Sequence, residues 1–457
     1  MTKPGISKGR TAAAPPTIDA EETSREFGGT LGATLIMLAS HGLLLYLWLA
    51  WRFHDGALFY PAGLSDIGPF FHRMWEQLAS HATPSLDVFA MYWGFLVVEG
   101  LMAAYIPGIE IKGLPIPNRG GKQLVYRCNG IYAWWITLIA MGVLHVTGIF
   151  PLQTLYDRFG SFMVVSIISA NLVAVAVHFG ALITGNAERM TGSFIYDFFM
   201  GAWLNPRIGP LDLKMWAEVR VSWLMLFLLT ASAAAHQYEV YGVVSTPMLF
   251  MVLAHWLYTN ACMKGEECIP TTWDIFYEKW GWMLVFWNLA GVSFLYCFNS
   301  MYIASRPPFE HSLPFTIFVF ALLLAGYFIW DTAQAQRNRF RMQINGSYVK
   351  RKAFPQLPWA TLENPRYLET KAGSKLLIDG WWGKARKIHY TADVMMALSW
   401  GLICGFQNFL PYLYVSFFIV MILHRANRDI ERCEKKYGED WERYRKEVPY
   451  LFIPYVY

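Results

Sequence analysis

PYLYVSFFIVMILHRANRDIERCEKKYGEDWERYRKEVPYLFIPYVY, residues 411–457, joins two chemistries in one stretch. Residues 411–423 carry no charge and suit hydrocarbon, whereas the chain from His424 onward is dense in arginines, lysines and acids before it stops in aromatics and prolines. On a helix Arg425, Arg428, Asp429 and Arg432 fall at i, i+3, i+4 and i+7 and share one face, while Glu431 and Lys435 pair on another. An apolar helix that runs into such a face is a helix leaving a bilayer. Its arginines fit lipid headgroups or a polyanionic ligand, and they also fit a stop-transfer cluster that obeys the positive-inside rule. Asp429 weakens the second reading. A carboxylate set among arginines does nothing for lipid anchoring, but it orients them or accepts hydrogen bonds from a ligand.

The rest of the chain agrees with a bilayer setting. Of 457 residues, 55% are hydrophobic and only 16% charged, well below the quarter or so of charged residues in an ordinary soluble protein. Runs long enough to span lie near 31–52, 87–106, 131–150, 161–184, 219–235, 243–262, 281–302 and 314–334. Residues 391–424, broken by GFQNFLP, suit two short helices in a hairpin and raise the count from eight to about ten. The expected fold is therefore all-α, a polytopic membrane protein of about ten transmembrane helices.

Loop charge orients it. Lys3, Lys8, Arg10 and Arg25 precede the first run. Lys112, Arg119, Lys122 and Arg127 fill the second loop, and Arg189, Arg207 and Lys214 the fourth; most of the remainder lie in the eighth loop and the tail. The odd loops are nearly free of Lys and Arg, which places both termini and every basic loop in the cytosol. Residues 1–27 lack the apolar core of a signal peptide and read as a mobile cytosolic tail, leaving 28–457 as one membrane domain. Six scattered cysteines form no CxxC pair and read as reduced thiols. A net charge of +5 requires no nucleic acid.

The eighth loop, 335–390, is too organised for a spacer. It opens with DTAQAQRNRFRMQ, which continues the eighth helix and sets Arg337 and Arg341 at i, i+4. It closes with LLIDGWWGKARKIHYTAD, where Trp381 and Trp382, the cluster Lys384, Arg386 and Lys387, then His389, Tyr390 and Asp393 stand together. Guanidinium for phosphate, ring for stacking and carboxylate for ribose or amide make a cytosolic nucleotide pocket; a juxtamembrane belt of Trp and basic residues has a similar composition. No G-x-G-x-x-G follows a strand and there is no Walker loop, so a dinucleotide here is not held on a Rossmann fold. The histidines show no ligand spacing, and no metal site is expected.

AHWLYTNACMKGEECIPTTWDIFYEKWGW, 254–282, places His255, Tyr258, Glu266, Glu267, Asp274 and Tyr277 at or near helix ends. Acids against apolar walls are costly unless they function or pair, so this stretch offers an acid for a hydrophobic substrate, or else structural pairs with Lys264 and Lys279. FMGAWLNPRIGPLDLKMWAEVR, 199–220, adds Asn205, Arg207, Asp212, Glu218 and Arg220 around a rigid Asn-Pro turn, with Arg207 structural.

Taken together, LNPRIGPLDLKMWAEVR, DTAQAQRNRFR, LLIDGWWGKARKIHYTAD, LPYLYVSFFIVMILHRANRDIERCEKKYGEDWERY and VPYLFIPYVY resemble the sterol reductase family over roughly residues 30–457. This family includes reductases of the carbon 14, carbon 7 and carbon 24(28) double bonds and the membrane domain of lamin B receptor. The resemblance implies reduction of a sterol double bond with NADPH, in a cytosolic cofactor pocket formed by the C-terminal half. It divides the chain into N-terminal helices, 28–240, and a catalytic and cofactor-binding part, 241–457.

By this resemblance Arg337, Arg341, Trp382, Arg386, His389, Tyr390, Asp393, Arg425, Asp429 and Tyr444 hold the cofactor. The tail closes over the phosphates, and a sterol enters from the bilayer. The location implied is the endoplasmic reticulum membrane in a eukaryote or the inner membrane in a bacterium. KGLPIPNRGGKQLVYRCNG, the 254–282 stretch and ARKIHYTAD look closest to the fungal-type reductase of the side-chain 24(28) bond. Thr259, Asn260, Ala261 and Cys262 follow Tyr258 where ring reductases usually carry an acid, and His389 stands where they have Asn. Gln334 and Arg337 replace the Asn and Lys of many relatives while keeping donor chemistry. The tail is also similar to isoprenylcysteine methyltransferases, but only over the last hundred residues or so. A non-enzymatic sterol-binding role is the other alternative.

An alkene with no adjacent carbonyl takes hydride only when a proton arrives first or in concert. Tyr258 and Glu266 are the acid candidates, Glu266 through burial that raises its pKa.

Overall fold

The computed structural model describes residues 25–116, 119–346, 348 and 356–456. The mobile tail expected over 1–27 thus falls outside the described residues as far as residue 24. Glu26–Gly28 form a short 3-10 turn that leads into α1, Gly29–Phe53. The chain continues through α2, Ile67–His81, α3, Leu86–Tyr105, α4, Gly130–Val146, α5, Phe159–Ile183, and the short α6, Phe194–Met200. Next come α7, Leu213–Tyr241, α8, Thr246–Lys264, α9, Trp282–Ala304, and α10, Leu313–Ile344. A terminal group closes the molecule: α11, Ile388–Leu402, α12, Leu413–Tyr437, and α13, Glu439–Glu447.

The protein is mostly helical, and seven of its described helical segments are long and apolar enough to cross a bilayer: Glu26–Phe53, Leu86–Tyr105, Phe159–Ile183, Leu213–Tyr241, Trp282–Ala304, Leu313–Ile344 and Leu410–Tyr437. The apolar α4 has 17 residues. Outward faces carry large apolar side chains at helical spacing, such as Leu31, Leu35 and Leu38 on α1, and Leu172, Val175 and Phe179 on α5. Exposed apolar surface on this scale needs lipid, not water, against it. In α7 and α9, 72% of the apolar core segment is buried inside the protein, against 22% in α10, so α7 and α9 form the centre of the bundle.

Each central helix contains one π-helical turn, Ala217–Val221 in α7 and Trp287–Gly291 in α9. The two turns are stitched together, with Ser222 Oγ donating to Asn288 O at 2.9 Å and Ser293 Oγ to Ser222 O at 3.0 Å. Between α10 and α11 the packing is close enough that a Cβ at Gly326 would lie 2.9 Å from Met396 Cγ.

Three features were not legible as such. The hairpin expected from two short helices has one long arm, since α12 runs for 25 residues and carries the arginine face. α2 lies between α1 and α3 as an amphipathic helix with no fully buried residue and with Phe71 and Trp75 exposed. Among the described residues three two-stranded antiparallel hairpins interrupt the all-α pattern. They are β1, Ile109–Lys112, with β2, Val125–Cys128; β3, Arg207–Ile208, with β4, Leu211–Asp212; and β5, Tyr367–Glu369, with β6, Lys375–Leu377. All three fall in the basic loops, where short connections leave the helices and still need partners for their backbone groups.

Candidate active site

α10 has 32 residues, about 48 Å at 1.5 Å per residue, whereas hydrocarbon is about 30 Å thick. Its last turns therefore project beyond the apolar layer and carry Arg337 and Arg341. The loop that follows is pinned to this projection. Gln336 Oε1 accepts from Trp381 N at 2.9 Å, Trp381 Nε1 donates to Thr332 Oγ1 at 2.8 Å, and Trp382 Nε1 to Ala333 O at 2.8 Å. Gly380 is required here, because at φ +57° a Cβ would approach Gln336 Oε1 to 2.3 Å.

Pinned in this way, Trp382 lies under the Arg337 guanidinium, 4.7 Å from ring centroid to Cζ, and 5.1 Å from the ring of His389, which in turn sits 4.1 Å from Tyr390. Among the described residues neither Arg337 nor Arg341 meets a carboxylate at ion-pair distance. Arg341 is solvent-exposed yet within electrostatic reach of Arg337, Cys268, Asp429 and Tyr437. His389 is buried, and its Nδ1 has no hydrogen-bond partner among the described residues. Two guanidiniums one turn apart and an unsatisfied ring nitrogen fit a bound polyanion with hydrogen-bonding groups.

The C-terminal tail forms the opposite wall. Arg386 N donates to Tyr450 O at 3.0 Å, Lys387 N to Leu451 O at 2.8 Å, and Thr391 Oγ1 to Phe452 O at 2.7 Å. Arg386 also donates from Nη2 to Pro449 O at 3.2 Å. Tyr444 packs in the Trp441 and Val448 cluster under α12, and burial pushes its phenol up to about 12. Lys371 N donates to Asp440 at 2.6 Å, which ties the β5–β6 turn to α13.

The arginine face of α12 differs from the sequence expectation. Arg425 lies 4.0 Å from Asp274, Arg428 pairs with Glu26, and Arg432 stacks over Trp273 at 4.3 Å, so the face also clamps α12 to neighbouring elements. Asp429 is engaged by Lys387, one of the basic cluster Lys384, Arg386 and Lys387; burial pulls the Lys387 ammonium below the usual lysine range while Asp429 opposes that shift.

Beside these residues stands an aromatic cluster around Tyr258. Tyr258 lies edge-on to Trp223 at 4.7 Å, 6.4 Å from Trp330 and 6.0 Å from Trp400; Trp400 stacks on Tyr414 at 5.1 Å, and Tyr414 lies 4.7 Å from Tyr296. Asp393 is within electrostatic reach of Tyr258, Cys262 and Tyr414 on this side and of Arg425 on the other, so it joins the two groups. Tyr296, Trp330, Trp400 and Tyr414 were missed because aromatics at helical spacing look like core, and only tertiary packing gathers them.

Glu266 is not brought to Tyr258. Its Oε1 accepts from Arg220 Nη2 at 2.7 Å and Nε at 3.2 Å, and its Oε2 from Gly130 N at 2.6 Å, all in the protein interior. Arg220 Nη2 also donates to Asn129 Oδ1 at 2.5 Å. Both carboxylate oxygens of Glu266 are thus engaged within the protein, by the Arg220 guanidinium and the Gly130 backbone N–H.

The family model for ergosterol biosynthesis, ERG4/ERG24, matches residues 21–457. The chain belongs to the ERG4/ERG24 sterol reductase family. Among similar proteins, a Delta(24(24(1)))-sterol reductase of Aspergillus fumigatus is 48% identical over 432 residues, covering 94% of this chain and 92% of that one. Another from Gibberella zeae is 46% identical, covering 94% of this chain and 73% of its own length. A Delta(14)-sterol reductase of Methylotuvimicrobium alcaliphilum is 35% identical, covering 95% and 96%. The family makes this chain an oxidoreductase of sterol biosynthesis, and the methyltransferase alternative is set aside by a match over nearly the whole chain rather than its tail.

Proposed function

We propose that this sterol reductase uses NADPH to saturate the side-chain 24(28) double bond of a sterol. The observation that carries the cofactor reading is the Arg337 and Arg341 pair, with no carboxylate partner among the described residues, beside the Trp382, His389 and Tyr390 rings. Arg337, Arg341 and Arg425 hold phosphate oxygens, Trp382 and Tyr390 offer ring faces, and Arg386 and Tyr444 fix the wall behind them. Asp429 orients Lys387, and His389 Nδ1 hydrogen-bonds the ligand. NADPH, when bound, supplies a hydride.

The remaining chemistry belongs to the chain. Tyr258 donates a proton from its phenol, and cationic character grows on the more substituted alkene carbon. The faces of Trp223, Trp330, Trp400 and Tyr414 and the carboxylate of Asp393 stabilise that charge. Water is kept out by the aromatic walls. The identities of 48% and 46% with reductases named for the 24(24(1)) bond, against 35% or less with those named for the 14 bond, support the side-chain bond.

Incubating purified protein and NADPH with separate 24(28)-methylene, 14-ene and 7-ene sterols, followed by mass spectrometry, tests this. Side-chain product alone is expected. Ring product alone removes the side-chain assignment and leaves the reductase, and no product from any of the three removes a standard sterol as substrate.

Cofactor choice follows from the arginine pair. NADPH should bind far better than NADH, and Arg341→Ala should weaken NADPH by about 1.5–3 kcal/mol, the range for a hydrogen bond to a charged group. Equal binding of both cofactors by the wild-type protein removes Arg341 from the 2′-phosphate.

We further propose that α4, α8 and α11 complete a ten-span bundle with both termini and the 335–390 loop in the cytosol, in the endoplasmic reticulum membrane of a eukaryotic host or the inner membrane of a bacterial one. The alternation of loop charge supports this orientation. Labelling of single-cysteine variants with an impermeant thiol reagent checks it, and a tail labelled only from the non-cytosolic side overturns it.

A further inference from the structure

Trp381 and Trp382 are neighbours in sequence but face different surroundings. Trp382 lies under Arg337, whereas Trp381 folds over the outer side of α10, where its Nε1 donates to Thr332 Oγ1 at 2.8 Å and its ring meets Phe328 edge-on at 6.5 Å. This outer side continues the lipid-facing one. Leu313, Ile317, Phe318 and Leu324 are exposed along it, and Phe328 and Thr332 extend it at helical spacing. Counted from Leu313, about 20 residues or 30 Å of helix cross the hydrocarbon, so the layer ends near Ala333 and Trp381 stands at the headgroup boundary.

Lys384 and Arg339 bring charge to this boundary. Lys384 Nζ sits 4.6 Å from the Trp381 ring centroid and 5.3 Å from that of Trp359, and the two indoles meet edge-on at 5.0 Å. Arg339 Nη1 donates to Thr361 Oγ1 at 2.6 Å and Nη2 to Gln356 Oε1 at 3.4 Å, which holds the guanidinium beside the loop that carries Trp359. Among the described residues neither cation is at ion-pair distance from a carboxylate. Asp379, close by in sequence, is turned to the backbone and accepts from Arg366 N at 3.1 Å and Gly380 N at 2.7 Å. Arg339 is also separate from the arginines assigned to the cofactor. It lies two residues from both Arg337 and Arg341, about 200° of helix rotation, and so occupies the opposite side of α10.

Trp359 completes the group. Its ring is 43% exposed, and its backbone is left-handed at φ +64°, secured by Gln336 Nε2, which donates to its carbonyl at 2.8 Å. Bulky residues held in that region cluster where a ligand is clamped.

We propose that Arg339, Lys384 and the Trp359 ring bind the headgroup of an anionic phospholipid in the leaflet beside the 335–390 loop. The phosphate bridges Arg339 and Lys384 through charge-assisted hydrogen bonds, the glycerol lies against the indoles, and the acyl chains run down Phe328, Leu324 and Ile317. A choline headgroup fits poorly. Lys384 already fills the space between the indoles where a quaternary ammonium would sit, and neither cation has a carboxylate to share with it. The site is independent of which cofactor and which sterol bond the protein uses.

Native mass spectrometry of delipidated full-length protein, titrated separately with phosphatidylglycerol and phosphatidylcholine of the same acyl chains, tests this. The wild-type protein should hold one phosphatidylglycerol at least about tenfold more tightly than phosphatidylcholine, and Arg339→Gln with Lys384→Gln should weaken it roughly tenfold to thirtyfold, the scale of two cations lost near a lipid surface. Lys112→Gln with Lys122→Gln removes the same charge from another loop and should leave that tightest lipid in place. Equal affinity of the wild-type protein for both lipids overturns the proposal, as does equal weakening by the two double variants. Displacement of the bound phosphatidylglycerol by inorganic phosphate also overturns it, because the site is then one for a free anion. Should the first double variant not fold, Lys384→Gln alone decides: weakening by about threefold or more supports the site, and a smaller change overturns it.

Discussion

Tyr258→Phe is expected to lower turnover by about a hundredfold to ten-thousandfold, the usual contribution of a positioned general acid, with NADPH affinity unchanged. The substitution deletes one hydroxyl and keeps the ring that packs against Trp223 and Trp400. Its effect on folding is small for that reason, and, with Tyr258 as the proposed acid, its effect on chemistry is to remove the proton delivered to the alkene. The residues proposed to hold the cofactor lie on α10, the loop before α11, α11, α12 and α13, and the phenol lies on α8, so NADPH titration of the variant should match the wild type. Sterol binding should also survive, because ring faces and not the hydroxyl dominate the aromatic cluster. Turnover within threefold or so of wild type would move the acid role elsewhere, and Asp393, within reach of the same cluster, would be the next residue to vary.

How much of this was legible in the sequence depends on the range of the interaction. Arg337 and Arg341 share a helix face by spacing alone, and α10 places them together at the end of a helix longer than the bilayer. The 386–393 run was equally local, although its pairing with residues 450–452 through backbone hydrogen bonds was visible only in three dimensions. The arginine face of α12 was read correctly as a face, but its partners Asp274, Glu26 and Trp273 come from three distant segments, and no periodicity announces them. The aromatic cluster shows the limit most clearly. Trp400 and Tyr414 sit on opposite arms of the terminal hairpin, and Trp223 and Tyr258 on antiparallel helices, so their chemistry exists only once the helices pack. Glu266 and Glu218 show the same limit for charge. Both are acids beside apolar sequence, and only the structure tells that one is tied to a guanidinium while the other has an oxygen with no hydrogen-bond partner among the described residues.

Glu266 carries the second large expectation. Its partner Arg220 is 1% exposed and Glu266 itself 2%. Glu266→Ala should cost about 3–5 kcal/mol, because it leaves a guanidinium in the interior without its counter-charge and strips Gly130 N–H of its acceptor. That is a large share of the roughly 5–15 kcal/mol that holds a typical domain folded, so little folded protein is expected. Glu266→Gln keeps an acceptor for Arg220 and should be milder, with a lowered melting temperature. Per NADPH-binding site, however, it should turn over at the wild-type rate, since an acid that never leaves its ion pair does not take part in the chemistry. A catalytic acid at this position gives the opposite pattern. Glu266→Gln would then melt as the wild type does, bind NADPH fully and fail to reduce the sterol, and Arg220 would have to release the carboxylate during each cycle. Melting curves and turnover normalised to bound NADPH, measured on the same preparations, separate the two. The contacts from Arg220 at 2.7 Å and Gly130 at 2.6 Å favour the ion pair, which is the outcome that the proposal of Tyr258 as the acid requires.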